Sequence, residues 1–421
     1  MKSLKTMQNE NVDKGTLQIN VTSGITSYPI ENATINIYYT GVPGEQLEQL
    51  TTDSSGQTET IELDTPPLEY SRNPTIESQP YSEYTFEVSA PGYEPISIAG
   101  AELLPTVKAI QNVTMRPLDA PNSSPEIFVI PGHTLYEEYP PKIAEDEIKP
   151  INETGEIVLS RVVVPEYIVV HDGSPRDSTA KNYYVRYKEY IKNVASSEIY
   201  ATWPASTIQA NVLAIMSFTL NRVYTEWYRN QGYDFTITSS TAFDHKWIPE
   251  RNIYDTISVI VDELFASYLS RPNVKQPILT QYCDGRQVQC PNWMTQWGSM
   301  ALGDQGYSPI EILRYYYGDD MYINTAQEIS GIPASWPGYD LSIGASGDKV
   351  RQMQNQLNVI SGAYPALQKI TADGIYGQAT ANAVREFQKI FDLPQTGVVD
   401  YKTWYKISQI YVGVSRIAEL V

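Results

Sequence analysis

Glu198 is the residue in this sequence whose type and surroundings best suit acid–base chemistry. It follows Ala195-Ser196-Ser197 and precedes the Trp203-Pro204 break, so it stands among small and apolar residues where a predicted helix ends. A carboxyl group in such surroundings loses solvation, which raises its pKa and favours a general-acid role. A glutamate at a helix end also commonly caps the helix or forms an ion pair. The surrounding residues alone leave both interpretations open.

Several other side chains are suited to binding a carbohydrate. Trp203 and Trp297 could stack on sugar rings, and Gln296 could hydrogen-bond a substrate amide, although buried aromatic residues are as often part of a core. Asp244 is a candidate second carboxylate, or else a solvated loop carboxylate. A glycosidase that hydrolyses its substrate needs such a partner roughly 5–9.5 Å from the acid.

The composition indicates a globular protein that does not act on nucleic acid. The sequence has 49 acidic and 30 basic residues, and its net charge of −19 repels phosphates. No stretch approaches the roughly 20 apolar residues of a membrane span, and the first residues lack the apolar core of a signal peptide. With three histidines (His133, His171 and His245) and two cysteines, we expect no metal centre and no cofactor.

Hydrophobic periodicity predicts the elements that must position these residues. Residues 15–117 contain short alternating runs separated by turn signals, which predicts a small β-sandwich. The proline-rich, acidic stretch of residues 117–155 is typical of a linker that does not order itself fully and is open to proteases. After it, strand patterns near residue 157 and helical patterns over 187–228, 253–269 and 309–317 predict an α+β domain.

The end of the chain contains an internal repeat. Gly374 and Thr380 recur as Gly397 and Thr403, 23 positions later, and each copy precedes a predicted helix. With its Val384-Arg385-Glu386-Phe387-Gln388 run, the segment over about residues 341–410 resembles the three-helix peptidoglycan-binding domain family. That resemblance implies binding to bacterial cell wall, with catalysis placed elsewhere in the chain.

Two further blocks resemble the stage II sporulation protein D family of lytic transglycosylases. The first runs from Tyr190 to Pro204 and continues into a helix. The second contains Met294-Thr295-Gln296-Trp297-Gly298 and, further on, Glu311-Ile312-Leu313. The resemblance implies that Glu198 is the catalytic acid and base, and that Thr295, Gln296 and Trp297 belong to the substrate site.

The sequence departs from that family at several positions. Met216 stands where the family has an arginine, so we expect that arginine's substrate contact to be lost or to pass to Arg222. Asp244 occupies a position where relatives carry glutamine. The zinc-binding Cys/His cluster of some relatives maps to Thr238, Ala242 and Phe243, which are not zinc ligands. Cys283 and Cys290 form either a local disulfide or a pair of buried thiols.

The order of regions along the whole chain resembles the clostridial spore cortex-lytic enzymes. We therefore expect a propeptide made of a β-sandwich (1–116) and a linker (117–156), a lytic transglycosylase domain (157–330), and a linker with the peptidoglycan-binding domain (331–421). The resemblance implies storage in the spore as a zymogen, activation by a subtilisin-like germination protease, and spore cortex peptidoglycan as substrate. It also offers a reason for the absence of a recognisable signal peptide.

Three functions are compatible with the sequence. In the first, Glu198 protonates the glycosidic oxygen between muramic acid and glucosamine, and the 6-hydroxyl of muramic acid attacks, leaving a 1,6-anhydro end. In the second, the protein is a muramoyl-alanine amidase or an amidase activator, for which zinc ligands are normally needed. In the third, it is a wall-binding protein without catalytic activity.

Overall fold

The computed structural model describes residues 12–24, 27–42, 44–118, 125–149, 159, 161–326, 328–330 and 336–415. Over these residues the chain is a multidomain α+β protein with several sheets and nine α-helices, ending in a helical region. Within the same ranges, no helix is long and apolar enough to cross a bilayer.

Strands in the N-terminal region lie where the alternating pattern predicts them. In β1, Leu17, Ile19 and Val21 are fully buried while the residues between them are partly exposed. This alternation is the period-2 burial of a sheet with one covered face. The elements are β1 (Asp13–Ser23), β2 (Thr34–Tyr39), β3 (Gln46–Thr51), β4 (Ile61–Thr65), α1 (Glu69–Arg72), β5 (Ser82–Ser89), β6 (Ile96–Leu103) and β7 (Lys108–Met115).

These strands form two sheets, and each sheet receives one strand from a later part of the chain. In one sheet β1 lies between β4 and β7, and β7 also pairs with β13 (Ile253–Tyr254), where Ile253 lies opposite Ile110. The other sheet has the order β3-β2-β5-β6-β8, in which β8 (Glu126–Val129) runs parallel to β6. The N-terminal sheets are therefore joined to the rest of the protein by backbone hydrogen bonds.

Residues 132–149, here called the strap, lie on the central region without helix or strand structure. The amide of Ile143 donates to the carbonyl of Ala242 (2.7 Å), and the carbonyl of Glu147 accepts from Leu279 (2.8 Å). This part of the predicted linker is thus hydrogen-bonded to the central region. The predicted domain boundaries themselves stay a prediction.

The central region is built around one long buried helix, α3 (Ala205–Tyr224), in which 17 of 20 residues are buried. A helix that is buried on all sides belongs to the middle of a core. The other elements of this region are β9 (Val163–Val164), β10 (Tyr167–His171), β11 (Asn182–Arg186), α2 (Tyr187–Glu198), β12 (Ile237–Thr238), α4 (Asp255–Leu264), β14 (Ser267–Ser270), β15 (Tyr282–Cys283), β16 (Met294–Thr295), α5 (Gln296–Asp304), α6 (Pro309–Tyr317), β17 (Tyr322–Thr325) and β18 (Glu328–Ile329).

One of the three predicted helical segments differs from the structure. The helical pattern over 187–228 forms α2 and α3, which are separated by residues 199–204 at the break expected at Trp203-Pro204. The segment 253–269 is helical only in α4, since its two ends pair as strands with β7 and β17. The third prediction, 309–317, is confirmed by α6.

The C-terminal region contains three helices, α7 (Asp348–Ile360), α8 (Gln378–Ile390) and α9 (Tyr401–Ser415). The internal repeat has a structural reason. Buried Gln354 accepts from the amide of Gly374 (2.8 Å) and donates to Thr380 (3.1 Å), and buried Gln388 makes the same pair of bonds with Gly397 (2.8 Å) and Thr403 (3.2 Å). Both glycines have positive φ, +79° and +68°, which glycine adopts without strain.

This C-terminal region is docked on both other parts of the chain. Lys402 forms an ion pair with Glu263 of α4 (2.5 Å), and Phe265 packs against Tyr405 of α9. On the other side, Lys108 of β7 forms an ion pair with Asp392 (2.6 Å). Movement of the N-terminal sheets would therefore change the surroundings of the C-terminal helices as well.

Candidate active site

Glu198 is the last residue of α2 and is only 3% exposed. Its carboxylate is held from two sides, because the backbone N–H of Lys246 donates to Oε1 (2.6 Å) and the hydroxyl of Tyr282 donates to Oε2. Burial raises the pKa of Glu198 above its ordinary value, although nearby Lys142 and these two hydrogen bonds act in the opposite direction. A buried acid with a raised pKa is suited to donate a proton near neutral pH.

The aromatic rings of Tyr282 and His245 pack against each other beside Glu198. Their rings are stacked with centroids 5.9 Å apart, and Nδ1 of His245 is hydrogen-bonded to the hydroxyl of Tyr190 (3.0 Å). Burial lowers the pKa of His245 well below its ordinary value, with Lys142 and Arg222 acting in the same direction, so this histidine is neutral. Sequence reasoning did not assign roles to Tyr282, Lys246 or His245.

A small cavity of about 60 Å³ opens next to Glu198. One wall is formed by the central region and includes Tyr282, Asp284 and Gln296, while the other is formed by strap residues from Thr134 to Lys142. Pockets that hold a ligand of drug size measure roughly 300–1,000 Å³. A disaccharide unit therefore does not fit beside Glu198 while the strap is in place.

Cys283 and Cys290 form a disulfide, which settles the alternative left open by the sequence. The bridge closes a loop whose residues Asp284, Gln287 and Val288 line the cavity. Both carboxylate oxygens of Asp284 accept backbone N–H groups of this loop, from Arg286 (2.9 Å) and Val288 (2.8 Å) among others. Asp284 is thus a second carboxylate at the cavity, with its oxygens already engaged by the loop.

Gln296 is the predicted substrate-binding residue that lies at the cavity. Its Nε2 donates to the backbone carbonyl of Glu198 (2.9 Å), so it also fixes the end of α2. Thr295 is hydrogen-bonded to Tyr316 (3.1 Å). The cavity wall does not include Thr295.

Trp203 and Trp297 lie in a buried aromatic cluster with ring centroids 5.1 Å apart. The indole N–H of Trp203 donates to the carbonyl of Ser71 in the N-terminal region (2.8 Å). Neither ring lines the cavity. A stacking role for these two residues stays a prediction.

Arg222 and Asp244 form a buried ion pair (2.7 Å) next to the cavity rather than in its wall. Asp244 also accepts from Tyr228 (2.6 Å) and from Thr238, so its oxygens are engaged. Arg222 additionally holds Glu145 of the strap through two bonds of 2.6 and 3.0 Å. Burial opposes the charge of Arg222, but both acids outweigh it and raise the pKa of this guanidinium.

In the described part of the chain, no group of three or more His, Cys, Asp or Glu side chains is arranged to hold a metal ion. Among the residues expected at the zinc-ligand positions, Thr238 is the last residue of β12, and Ala242 and Phe243 lie in the loop that follows it.

Residues 346–407 match the family described as "Putative peptidoglycan binding domain". This match covers α7 to the first part of α9. The C-terminal helical region is therefore a peptidoglycan-binding domain, and this expectation from the sequence is confirmed.

Solved structures show partial similarities. The SleB N-terminal domain is 28% identical, and the match covers 18% of this chain and 99% of that chain with a TM-score of 0.16. The minor pilin GBS52 of Streptococcus agalactiae is 14% identical, with 27% and 48% of the two chains covered and a TM-score of 0.18. Klebsiella pneumoniae 5-hydroxyisourate hydrolase is 16% identical, with 24% and 91% covered and a TM-score of 0.16. At these scores the similarities carry no argument about function. No curated protein sequence matches this chain.

Proposed function

We propose that this protein is a peptidoglycan lytic transglycosylase of the spore cortex, made as a zymogen. The observation that carries the proposal is the buried carboxyl group of Glu198, held by Tyr282 and by the N–H of Lys246 at a cavity. The same chain carries a peptidoglycan-binding domain, which keeps such an acid close to a glycan substrate. The sequence blocks around Glu198 and Gln296, which resemble stage II sporulation D transglycosylases, support the same reaction.

The proposed reaction uses one carboxyl group twice. Protonated Glu198 gives its proton to the glycosidic oxygen, and the bond between this oxygen and C1 of muramic acid breaks. The 6-hydroxyl oxygen of the same muramic acid then bonds to C1, and its proton passes to the Glu198 carboxylate. The products are a free 4-hydroxyl on glucosamine and a 1,6-anhydro muramic end, and Glu198 is again protonated.

Tyr282 and Lys246 act on the charged form of the catalytic group. Their O–H and N–H groups donate to the carboxylate oxygens, so they stabilise the anion that develops when Glu198 releases its proton. A preorganised pair of donors needs no rearrangement during the reaction, which is the general advantage of such groups.

The strap supports the zymogen part of the proposal. It forms one wall of the cavity and leaves about 60 Å³ beside Glu198. The ammonium group of Lys142 lies over the Tyr282 ring at 5.2 Å and lowers the pKa of Glu198, which works against its acid role. A germination protease that cuts after the strap would allow it to leave this cleft.

Hydrolysis is the second candidate reaction, because Asp284 is a second carboxylate at the same cavity. In a hydrolase its substitution would remove the group that activates water or forms a glycosyl intermediate. Since its oxygens already accept loop N–H groups, we place Asp284 in a structural role. An amidase, or a wall-binding protein without activity, would not depend on Glu198.

The test uses the full chain with an engineered protease site between residues 150 and 158, cleaved before assay on purified cortex. Glu198→Gln should abolish release of glycan fragments, whereas Asp284→Asn and the control Glu166→Gln should retain most of it. If Glu198→Gln stays active, or free alanine amino groups appear instead of new glycan ends, the proposal is wrong. Loss of activity in Asp284→Asn with an unchanged melting temperature would favour hydrolysis.

A further inference from the structure

The strap is held by four side chains of the central region, which are together called the groove: Gln276, Gln281, Arg222 and Arg271. Gln281, which is buried, accepts from the backbone N–H of Glu145 (2.8 Å) and donates to the carbonyl of Ile143 (2.6 Å). Buried Gln276 makes the same pair of bonds to the N–H (2.7 Å) and carbonyl (3.2 Å) of Lys149. Two side-chain amides that each bind both polar groups of a backbone are a general device for holding a peptide, because they satisfy donor and acceptor together.

The same groove recognises carboxylates in a paired manner. Arg222 binds both oxygens of Glu145, and Arg271 binds both oxygens of Glu147 at 2.7 and 2.8 Å. Bidentate pairs of guanidinium and carboxylate are strong and geometrically selective. Arg222 is fully buried, and the loss of Glu145 would leave two of its N–H groups without these acceptors. A buried guanidinium whose N–H groups lack acceptors favours the binding of another anion at the same position.

The groove is continuous with the catalytic cavity. Lys142 lines the cavity beside Glu198, and Glu145 follows three residues later in the groove. A ligand that extends from the cavity along the path of the strap would thus meet Gln281 and Arg222 first, and Gln276 and Arg271 further along.

We propose that this groove is the subsite for the acidic stem peptide of peptidoglycan, and that the strap occupies it as an internal mimic. The inference rests on the proposed function and names the part of the substrate that the groove binds. Stem peptides carry free carboxylates and are attached to muramic acid, so a glycan strand bound at Glu198 places a stem at the mouth of the groove. The strap provides the same chemistry, a backbone bound through its N–H and carbonyl groups and two carboxylates two residues apart.

The test measures binding to the full chain and uses an N-acetylated alanyl-glutamyl peptide with free carboxylates as the probe. Glu145→Gln combined with Glu147→Gln removes both mimic carboxylates, and calorimetry should show at least tenfold tighter binding than to the unmodified chain. The amidated form of the probe should gain no affinity. Adding Arg271→Gln, at a side chain that is 19% exposed, should reverse the gain at least tenfold.

Equal affinity of the unmodified chain and the double variant would overturn the proposal, as would equal binding of the acidic and amidated probes. Binding of peptide-free glycan strands in place of the acidic probe would also overturn it. If the double variant melts early, the unmodified chain cleaved at the engineered site serves in its place, because excess probe should then displace the strap. The measurement is repeated with Glu198→Gln, which should bind equally, so a failed stem-peptide subsite is distinguished from a failed catalytic assignment.

Discussion

The hydroxyl group of Tyr282 donates a hydrogen bond to the carboxylate of Glu198, which lies 84 positions earlier in the chain. Burial raises the pKa of Tyr282 well above its ordinary value, and the nearby Glu198 charge acts in the same direction. Tyr282 therefore keeps its proton throughout the physiological range and remains a donor to the Glu198 carboxylate.

Tyr282→Phe should lower kcat by about 10–100-fold, because a hydrogen bond to a charged group contributes roughly 1.5–3 kcal/mol. Losing this donor should also raise the pKa of Glu198, so the alkaline limb of the pH–rate profile should move to higher pH. The matched control is Tyr184→Phe, at a side chain that is 75% exposed. An unchanged pH profile in Tyr282→Phe would show that the bond has no role in catalysis.

The raised pKa of Glu198 also predicts a dependence of stability on pH. Because folding favours the protonated acid, its stabilising contribution is fully present below the ordinary pKa and is lost as pH rises through the raised value. The free energy of unfolding in urea should therefore fall with rising pH over this range for the natural chain, relative to Glu198→Gln. A difference that is constant with pH would contradict the raised pKa.

Opening the strap should activate the uncleaved chain. Tyr139→Ala with Lys142→Ala shortens two side chains of the cavity wall, and we expect at least a tenfold rise in glycan release by intact protein. Glu138→Ala, at an exposed neighbouring position, is the control. If the double variant releases no more glycan than the natural uncleaved chain, the strap is not what blocks the site.

The disulfide should stabilise the loop that forms the cavity wall. For a loop as short as that between Cys283 and Cys290, chain entropy predicts a contribution of roughly 2–3 kcal/mol. Cys283→Ser with Cys290→Ser should therefore increase hydrogen exchange at residues 284–289 and lower kcat. Unchanged exchange in that loop would mean that its hydrogen bonds to Asp284 are sufficient to hold it.

Gln388 should be essential to the peptidoglycan-binding domain. Gln388→Ala leaves the N–H of Gly397 and the hydroxyl of Thr403 without their partner, at a cost of about 1–3 kcal/mol for each buried group. We expect reduced sedimentation with peptidoglycan sacculi. Gln378→Ala changes an exposed glutamine of the same helix and should bind normally, and equal binding by both variants would be evidence against this role.

The elements that the sequence predicted well are those with local signals. Alternation located the N-terminal strands, and the Gly and Thr repeat identified the peptidoglycan-binding helices, because each Thr and Gly shares one buried glutamine. The burial of Glu198 likewise follows from the apolar residues next to it in the chain. Its catalytic role, and the domain boundaries, stay predictions.

Long-range pairings were not predictable from one sequence. The donors to Glu198 come from Lys246 and Tyr282, whose neighbours in the chain give no sign of the contact. The proline-rich linker was predicted from composition, yet its residues 143–149 are held by side chains of Gln276 and Gln281 far along the chain. Composition describes what a segment can bury by itself, whereas these bonds depend on the surface it meets.

The most direct test of the central claim is the chemistry of the new glycan end. The cleaved protein is incubated with cortex, the muropeptides are separated, and their masses are measured by mass spectrometry. A single-carboxyl transglycosylase at Glu198 predicts muramic ends that are lighter by one water than hydrolytic ends and that vanish in Glu198→Gln. Reducing muramic or glucosamine ends of full hydrolytic mass, produced by the natural chain, would contradict the account.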